Sequence, residues 1–401
     1  MAIVVQKYGG TSVGTIEKIM KVAKRVAQRK EKGDSVVVVV SAMGKTTDML
    51  LGMAKEISET PSRRELDMLM STGEQVSISL LSIALNEMGY DSVSLTGFQA
   101  GIITEGFHTK ARIQDIDAER IKEYLAQQKI VVVAGFQGIN ANGDITTLGR
   151  GGSDTTAVAV AAKLGCTCEI YTDVDGIYSV DPRLVPTARK LDTISYEEML
   201  EMASLGAGVM ETRAVEIGQK YSVPIYVALS TEDWPGTYIK EYDVTMESRA
   251  ITGLSVSDKD LMVTINHVPY DIKNISFIFE ELAKLDINID MISQTAPSHG
   301  LVNVSFTAPK NDQHIIEDIM NKIKERFEGV EVDIETAITK LSVVGIGMRS
   351  QSGVAAKMFK IFADHNIGFK QVTTSEIRIS YAIDTADKQK AIEAVAREFQ
   401  L

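Results

Sequence analysis

The chain has 401 residues but only two cysteines, Cys166 and Cys168, one residue apart in an apolar stretch. A lone C-x-C falls short of a four-ligand zinc site, so both are expected as buried, reduced thiols of a cytoplasmic protein. A basic excess is also missing: Lys and Arg number 42 against 54 Asp and Glu, a formal net charge of −12. That argues against nucleic acid as a partner, because phosphate backbones bind basic surfaces. It leaves room for a nucleotide, which needs only a local pocket of lysine, arginine and backbone N–H groups. No apolar run approaches the ~20 residues of a membrane span. The start, "MAIVVQKYGG", shows no secretory pattern. No P-loop and no strand-linked G-x-G-x-x-G occurs. The five histidines (His108, His267, His299, His314, His365) lie outside the glycine-rich turns, so no serine–histidine–acid arrangement is suggested. Chemistry with an already ionised nucleophile is expected instead.

What is present is a globular composition, 44% hydrophobic and 24% charged, on a chain long enough for two or three domains. The first half alternates short apolar runs such as "SVVVVVSAMG" and "IVVVAGFQG" with helical stretches, which predicts a mainly parallel α/β sheet covered on both faces. Ligands of such sheets bind beyond the carboxyl ends of the strands, here KYGG, SAMG, GFQG and TDVDG. Near 240–250 the pattern changes, and a domain boundary is placed at 245/246. The remainder carries a weak repeat at a shift of 80 residues: Phe279 meets Phe359, Leu282 meets Phe362, and Ile287 meets Ile367.

Several turns could carry chemistry. "KYGGTSVG" sets Lys7 before two glycines, whose backbone can approach an anion closely. An ordinary strand-to-helix turn explains it equally well. "SAMGKTTDML" offers Ser41, Thr46 and Thr47, of which helix capping accounts for one. Glu74 in "STGEQVS" suits the first turn of a helix. "TTLGRGGSDTTA" holds Arg150 and Asp154 at a helix entrance among Gly149, Gly151, Gly152 and Ser153. In "TDVDGIYSVDPR" the acidic cluster lacks EF-hand spacing. It reads either as a solvated loop or as a nucleotide edge, with Tyr178 offering a ring and Arg183 a phosphate fork.

Taken together and in this order, these segments resemble the aspartate kinases of the amino-acid-kinase superfamily, and the second half resembles their tandem ACT domains. The resemblance covers essentially the whole chain. It implies a three-layer α/β/α kinase domain (1–245) followed by two ferredoxin-like βαββαβ ACT regions (246–337 and 338–401), with interleaving of the two left open. It implies transfer of a phosphoryl group from ATP to the β-carboxylate of L-aspartate, at the head of lysine, threonine, methionine and diaminopimelate synthesis, with Mg2+ held mainly through ATP. By the same resemblance Lys7 and Asp154 are catalytic. ATP meets Lys7, Tyr8, Gly9, Gly10, Ser41, Thr172, Asp173, Tyr178, Asp181 and Arg183. Aspartate meets Thr47, Glu74, Arg150, Gly151, Gly152, Ser153 and Asp154. Lysine and/or threonine would bind as effectors around Tyr270, Asp271, Ile275, Asn288, Ile289, Asp290 and Gln294, and around Gly353, Val354, Asn366 and Ile367. A homo-oligomer through the ACT domains is expected, and Met246 is a candidate second start. The chain departs from the family at Gly208, Met210, Glu211 and Thr212, where a lysine and L-H-P are usual, although Arg213 remains. It departs again at Ile272, Lys273, Gln351 and Ser352 in the ACT turns. Another kinase of this fold and a non-catalytic amino-acid sensor are the alternatives.

Overall fold

The structure is a computed structural model that describes residues 2–206, 208–242 and 249–401. The boundary at 245/246 and the second start at Met246 lie outside the described residues. The chain forms two compact units: Met1–Ile177, Lys190–Ala203 and Gly208–Val244 make one; Tyr178–Arg189, Ser204–Ala207 and Thr245–Leu401 make the other.

In the first unit the elements run β1 (Ile3–Tyr8), α1 (Ile16–Glu31), β2 (Ser35–Val40), α2 (Thr46–Ile57), α3 (Arg63–Glu87), β3 (Ser92–Leu95), β4 (Ile102–Glu105), β5 (Arg112–Ile116), α4 (Glu119–Ala126) and β6 (Ile130–Ala134). They continue with β7 (Gln137–Ile139), β8 (Ile145–Thr147), α5 (Gly152–Leu164), β9 (Thr167–Thr172), β10 (Thr193–Ser195), α6 (Tyr196–Ser204), α7 (Thr212–Lys220), β11 (Ile225–Leu229) and β12 (Thr237–Lys240). The main sheet has the order β10-β12-β11-β9-β1-β2-β6-β3. Its pairs are parallel except β11 with β12. β2, all valine after Ser35, is buried along its whole length because helices cover both faces. On one face Val4, Val36, Val38 and Val132 pack against Ile19, Val22 and Val26 of α1 and Ile78, Leu81 and Leu85 of α3. α5 packs on β1, β2 and β9. A smaller sheet, β5-β4-β7-β8, sits beside these elements in sequence between α3 and α5.

Among the described residues α3 is the one helix long and apolar enough to cross a membrane by length and composition, an exception to the sequence reading. It is more than half buried, and its two interior charges, Asp67 and Glu74, both point inward. Those features belong to a core helix.

The second unit contains β13 (Gly253–Ser257), β14 (Asp260–Pro269), α8 (Ile272–Lys284), β15 (Asp290–Gln294), β16 (Leu301–Pro309), α9 (Gln313–Arg326), β17 (Glu331–Glu335), β18 (Ile338–Val344), α10 (Val354–Asp364), β19 (Phe369–Thr374), β20 (Arg378–Asp384) and α11 (Lys388–Phe399). One antiparallel sheet, β15-β16-β14-β17, forms a complete βαββαβ fold with α8 and α9. The other, β13-β18-β20-β19, takes one outer strand from before the first fold, not from the end of the chain, which resolves the order that the sequence leaves open. The two folds are therefore interleaved. The segment 178–189, counted with the kinase domain from sequence, also belongs here. Val180 enters the core of the second fold, with Leu184, Val185 and Ala188 against it, and Leu254 N donates to Ser179 O at 2.7 Å.

Candidate active site

Side chains alternate along a strand, so neighbours on β1 point to opposite faces of the sheet. Tyr8 enters the core shared with α1 and α3 and is fully buried, its hydroxyl donating to Gln6 Oε1 at 3.2 Å. The expectation that Tyr8 meets ATP is thereby corrected for its side chain. Its ring stacks on Tyr171 at 5.1 Å, and only its backbone borders the loop, accepting from Ser41 N. Lys7 faces the other way. Its Nζ stands 2.6 Å from Asp154 Oδ1 in the first turn of α5, with both side chains about nine-tenths buried. A cation so enclosed needs a partner, and Asp154 is one that the N-terminus of α5 also favours.

The loops after β1 and β2 lie against each other. A Cβ on Gly10 would stand 2.8 Å from Ala42 O, so only glycine fits. Ala42 N donates to Glu74 Oε1 at 3.0 Å, and Glu74 Oε2 has no hydrogen-bond partner among the described residues. Burial pushes the Glu74 carboxyl up to about 7, against the Ala42 bond, which favours the charged form. Thr47 stands half-buried in the first turn of α2.

The turn 148–152 is shaped by its glycines. Gly149 and Gly151 have φ of 81° and 63°. A Cβ on Gly151 would collide with the side chain of Glu211, 2.5 Å from Oε2. Arg150, between them, is exposed and engages no other described residue. Ser153, Gly152 and Asp154 open α5. Burial first, and then the Asp154 charge, hold the Glu211 carboxyl above its ordinary value. Arg213, the residue of the family pattern that remains, is committed to the backbone of this turn. Its guanidinium donates to Leu148 O at 2.7 Å and Ala111 O at 3.0 Å, tying α7 to the glycine turn.

The structure does not bring all the expected nucleotide residues into one unit. Thr172 ends β9 and Asp173 follows it, with Thr172 Oγ1 donating to Asp173 Oδ1 at 3.1 Å. Tyr178, Asp181 and Arg183 lie in the second unit. The Arg183 fork is closed on Asp181, with Nη2 at 2.6 Å from Oδ2, rather than presented to a phosphate. That bond, against partial burial, keeps Asp181 below the usual carboxylate range.

Of the expected effector residues, Asp271 caps α8 by accepting from Lys273 N, Tyr270 is exposed before it, and Gln294 ends β15. Asn288 and Ile289 lead into β15, while Gly353 (φ 91°) and Asn366 (φ 48°) flank α10. Ile275, Val354 and Ile367 are core residues. Asp290, expected to face an effector ammonium, has its carboxylate 3.1 Å from Lys340 and 3.7 Å from Arg378.

Sequence reasoning missed Asp67 and His108. Asp67 is fully buried and joins α3 to the loop between β4 and β5, and His108 Nδ1 lies 2.7 Å from its Oδ2. One signal was available: an aspartate set among the apolar residues of "LDMLM".

A mainly parallel sheet with glycine turns at its strand ends, a buried lysine–aspartate pair among them, and two ACT-type folds define an amino-acid kinase with an ACT region. The chain belongs to the amino acid kinase family, which matches residues 2–228, and carries an ACT domain matched over 341–399. Within that family it groups with the aspartokinases. The aspartokinase of Bacillus sp. (strain MGA3) is 49% identical over all of this chain and 98% of its own. The crystal structure of aspartate kinase from Synechocystis is 43% identical, covers 99% of this chain and 69% of that one, and has a TM-score of 0.56. E. coli aspartokinase III, solved in complex with aspartate and ADP, shares the fold at 23% identity and a TM-score of 0.79, over 98% of this chain and 99% of its own.

Proposed function

We propose that this chain transfers the γ-phosphoryl group of ATP to the β-carboxylate of L-aspartate, giving 4-phospho-L-aspartate, the entry step to lysine, threonine and methionine. The observation that carries the reading is the Lys7–Asp154 pair beside the glycine turn, with the exposed Arg150 inside that turn. The acceptor oxygen is already anionic, so no general base is needed, and catalysis reduces to positioning and charge neutralisation. Lys7 neutralises charge on the transferring phosphoryl group while Asp154 holds its ammonium in place. Arg150 takes the α-carboxylate of the amino acid as a fork, and Glu74 and Thr47 take its ammonium side. Gly9, Gly10 and Ser41 line the phosphates, and Thr172 and Asp173 border the nucleotide. Mg2+ enters on ATP as part of that substrate. Lysine and threonine act as effectors at the turns before α8 and α10, in a homo-oligomer joined through the ACT folds.

The test is ADP release with aspartate, glutamate, acetylglutamate, carbamate and a nucleoside monophosphate as acceptors. Turnover with aspartate at least 100-fold above the others is expected. Turnover with none of them would leave an amino-acid sensor, and preference for another acceptor would move the chain to a different kinase of this fold.

A further inference from the structure

Asp67 has no lysine or arginine partner among the described residues although it is 0% exposed. Its carboxylate is filled by donors from two other segments. Thr109 N donates to both oxygens at 3.0 Å, and Thr147 Oγ1 donates to Oδ1 at 2.5 Å. His108 Nδ1 lies 2.7 Å from Oδ2 and completes the set.

Thr109 adopts φ 70°, a left-handed conformation that is strained for a β-branched residue. Such strain persists only where the surroundings over-determine it. Here its N–H is delivered to Asp67 and its carbonyl to the glycine turn, since a Cβ on Gly149 would stand 3.2 Å from Thr109 O. Ala111 N donates to Thr147 O at 3.0 Å, and Arg213 bridges Ala111 O and Leu148 O. The loop 108–111 and the turn 147–149 therefore form one assembly, keyed to α3 by Asp67 and to α7 by Arg213. Arg150 is the next residue.

We propose that Asp67 is a positioning residue for the amino-acid substrate: through Thr147 and Thr109 it sets the direction in which Arg150 meets the substrate carboxylate. This rests on the role given to Arg150 above. A displacement of ~1 Å at a reacting group costs about 100-fold, so a hub two contacts away still reads out in kinetics.

The decisive variants are Thr147→Val, which removes the donor at nearly constant volume, and Thr147→Ser, which keeps it. Asp67→Asn and Arg150→Lys accompany them, and each is measured for kcat, both KM values and Tm. Thr147→Val and Asp67→Asn should raise KM for aspartate about tenfold or more, leaving KM for ATP within twofold. Thr147→Ser should stay within threefold of wild type. A lowered Tm with unchanged KM for aspartate in Thr147→Val makes the hub merely structural and overturns the proposal, as do equal rises in both KM values. If Arg150→Lys raises KM for aspartate and Thr147→Val does not, the positioning role alone fails. If Arg150→Lys leaves it unchanged, the role of Arg150 fails, and the proposal with it.

Discussion

Glu74 shows how one buried carboxyl couples stability to binding. Its folded value of about 7 lies above the ordinary 4.5, so between those pH values the folded protein keeps a proton that the unfolded chain releases. Stability therefore falls as pH rises through that window, and above 7 the full loss is about 3 kcal/mol. Glu74→Gln keeps an acceptor for Ala42 N and removes the loss. Its Tm should exceed that of wild type at pH 8 and converge with it near pH 5. Binding runs the other way, because an ammonium needs the ionised form. KM for aspartate in wild type should fall as pH rises from 6 to 8, and in Glu74→Gln it should be higher and flat. A wild-type KM independent of pH would take Glu74 off the ammonium. At the same scale, Tyr8 was misread from its place in "KYGG". The motif is contiguous in sequence, but strand alternation sends Lys7 and Tyr8 to opposite faces.

The elements were the legible part of the chain. Valine runs between helical stretches predicted β1, β2 and β6 because strands buried on both faces have no polar side to interrupt them. The glycine turn was legible too, since its conformation is local. What escaped was non-local: the Asp67 hub links positions 41 and 80 residues apart, and Arg183 turned to Asp181 by a choice of rotamer. The turn supplies its own test. Gly151 is left-handed and faces Glu211, so a methyl group there is disfavoured by both backbone and neighbour. Gly151→Ala should cost about 1–3 kcal/mol of stability and lower kcat/KM for aspartate by about 100-fold. Activity near wild type with an unchanged Tm would mean that the turn tolerates another shape and that its geometry does not set the site.

Across the whole molecule, sequence indicated two regions and a repeat but not how the strands are shared. It also assigned Asp290 to an effector, whereas Lys340, itself buried, draws on both Asp290 and Asp260. Partial burial opposes ionisation of Asp290, yet Lys340 and Arg378 hold it below the usual carboxylate range. Its contribution is present above that range and is lost as pH falls through it. Asp290→Asn should destabilise the second unit by roughly 1–2 kcal/mol, between exposed and buried pairs. In calorimetry of the full chain, the difference from wild type should shrink as pH falls below the usual carboxylate range. An unchanged Tm together with loss of lysine or threonine inhibition would return Asp290 to the effector. The shared strand has a different consequence, in time. β13 pairs with β18 beginning at Gly253 and Val344, so its partner is synthesised ~90 residues later, on the order of 5–20 s at ribosomal speed. The first ACT fold can close within that wait while β13 hangs from its start with one edge bare. Every ribosome that stalls or terminates in this interval releases a chain with an unfilled strand edge, the feature that invites one chain to pair with another.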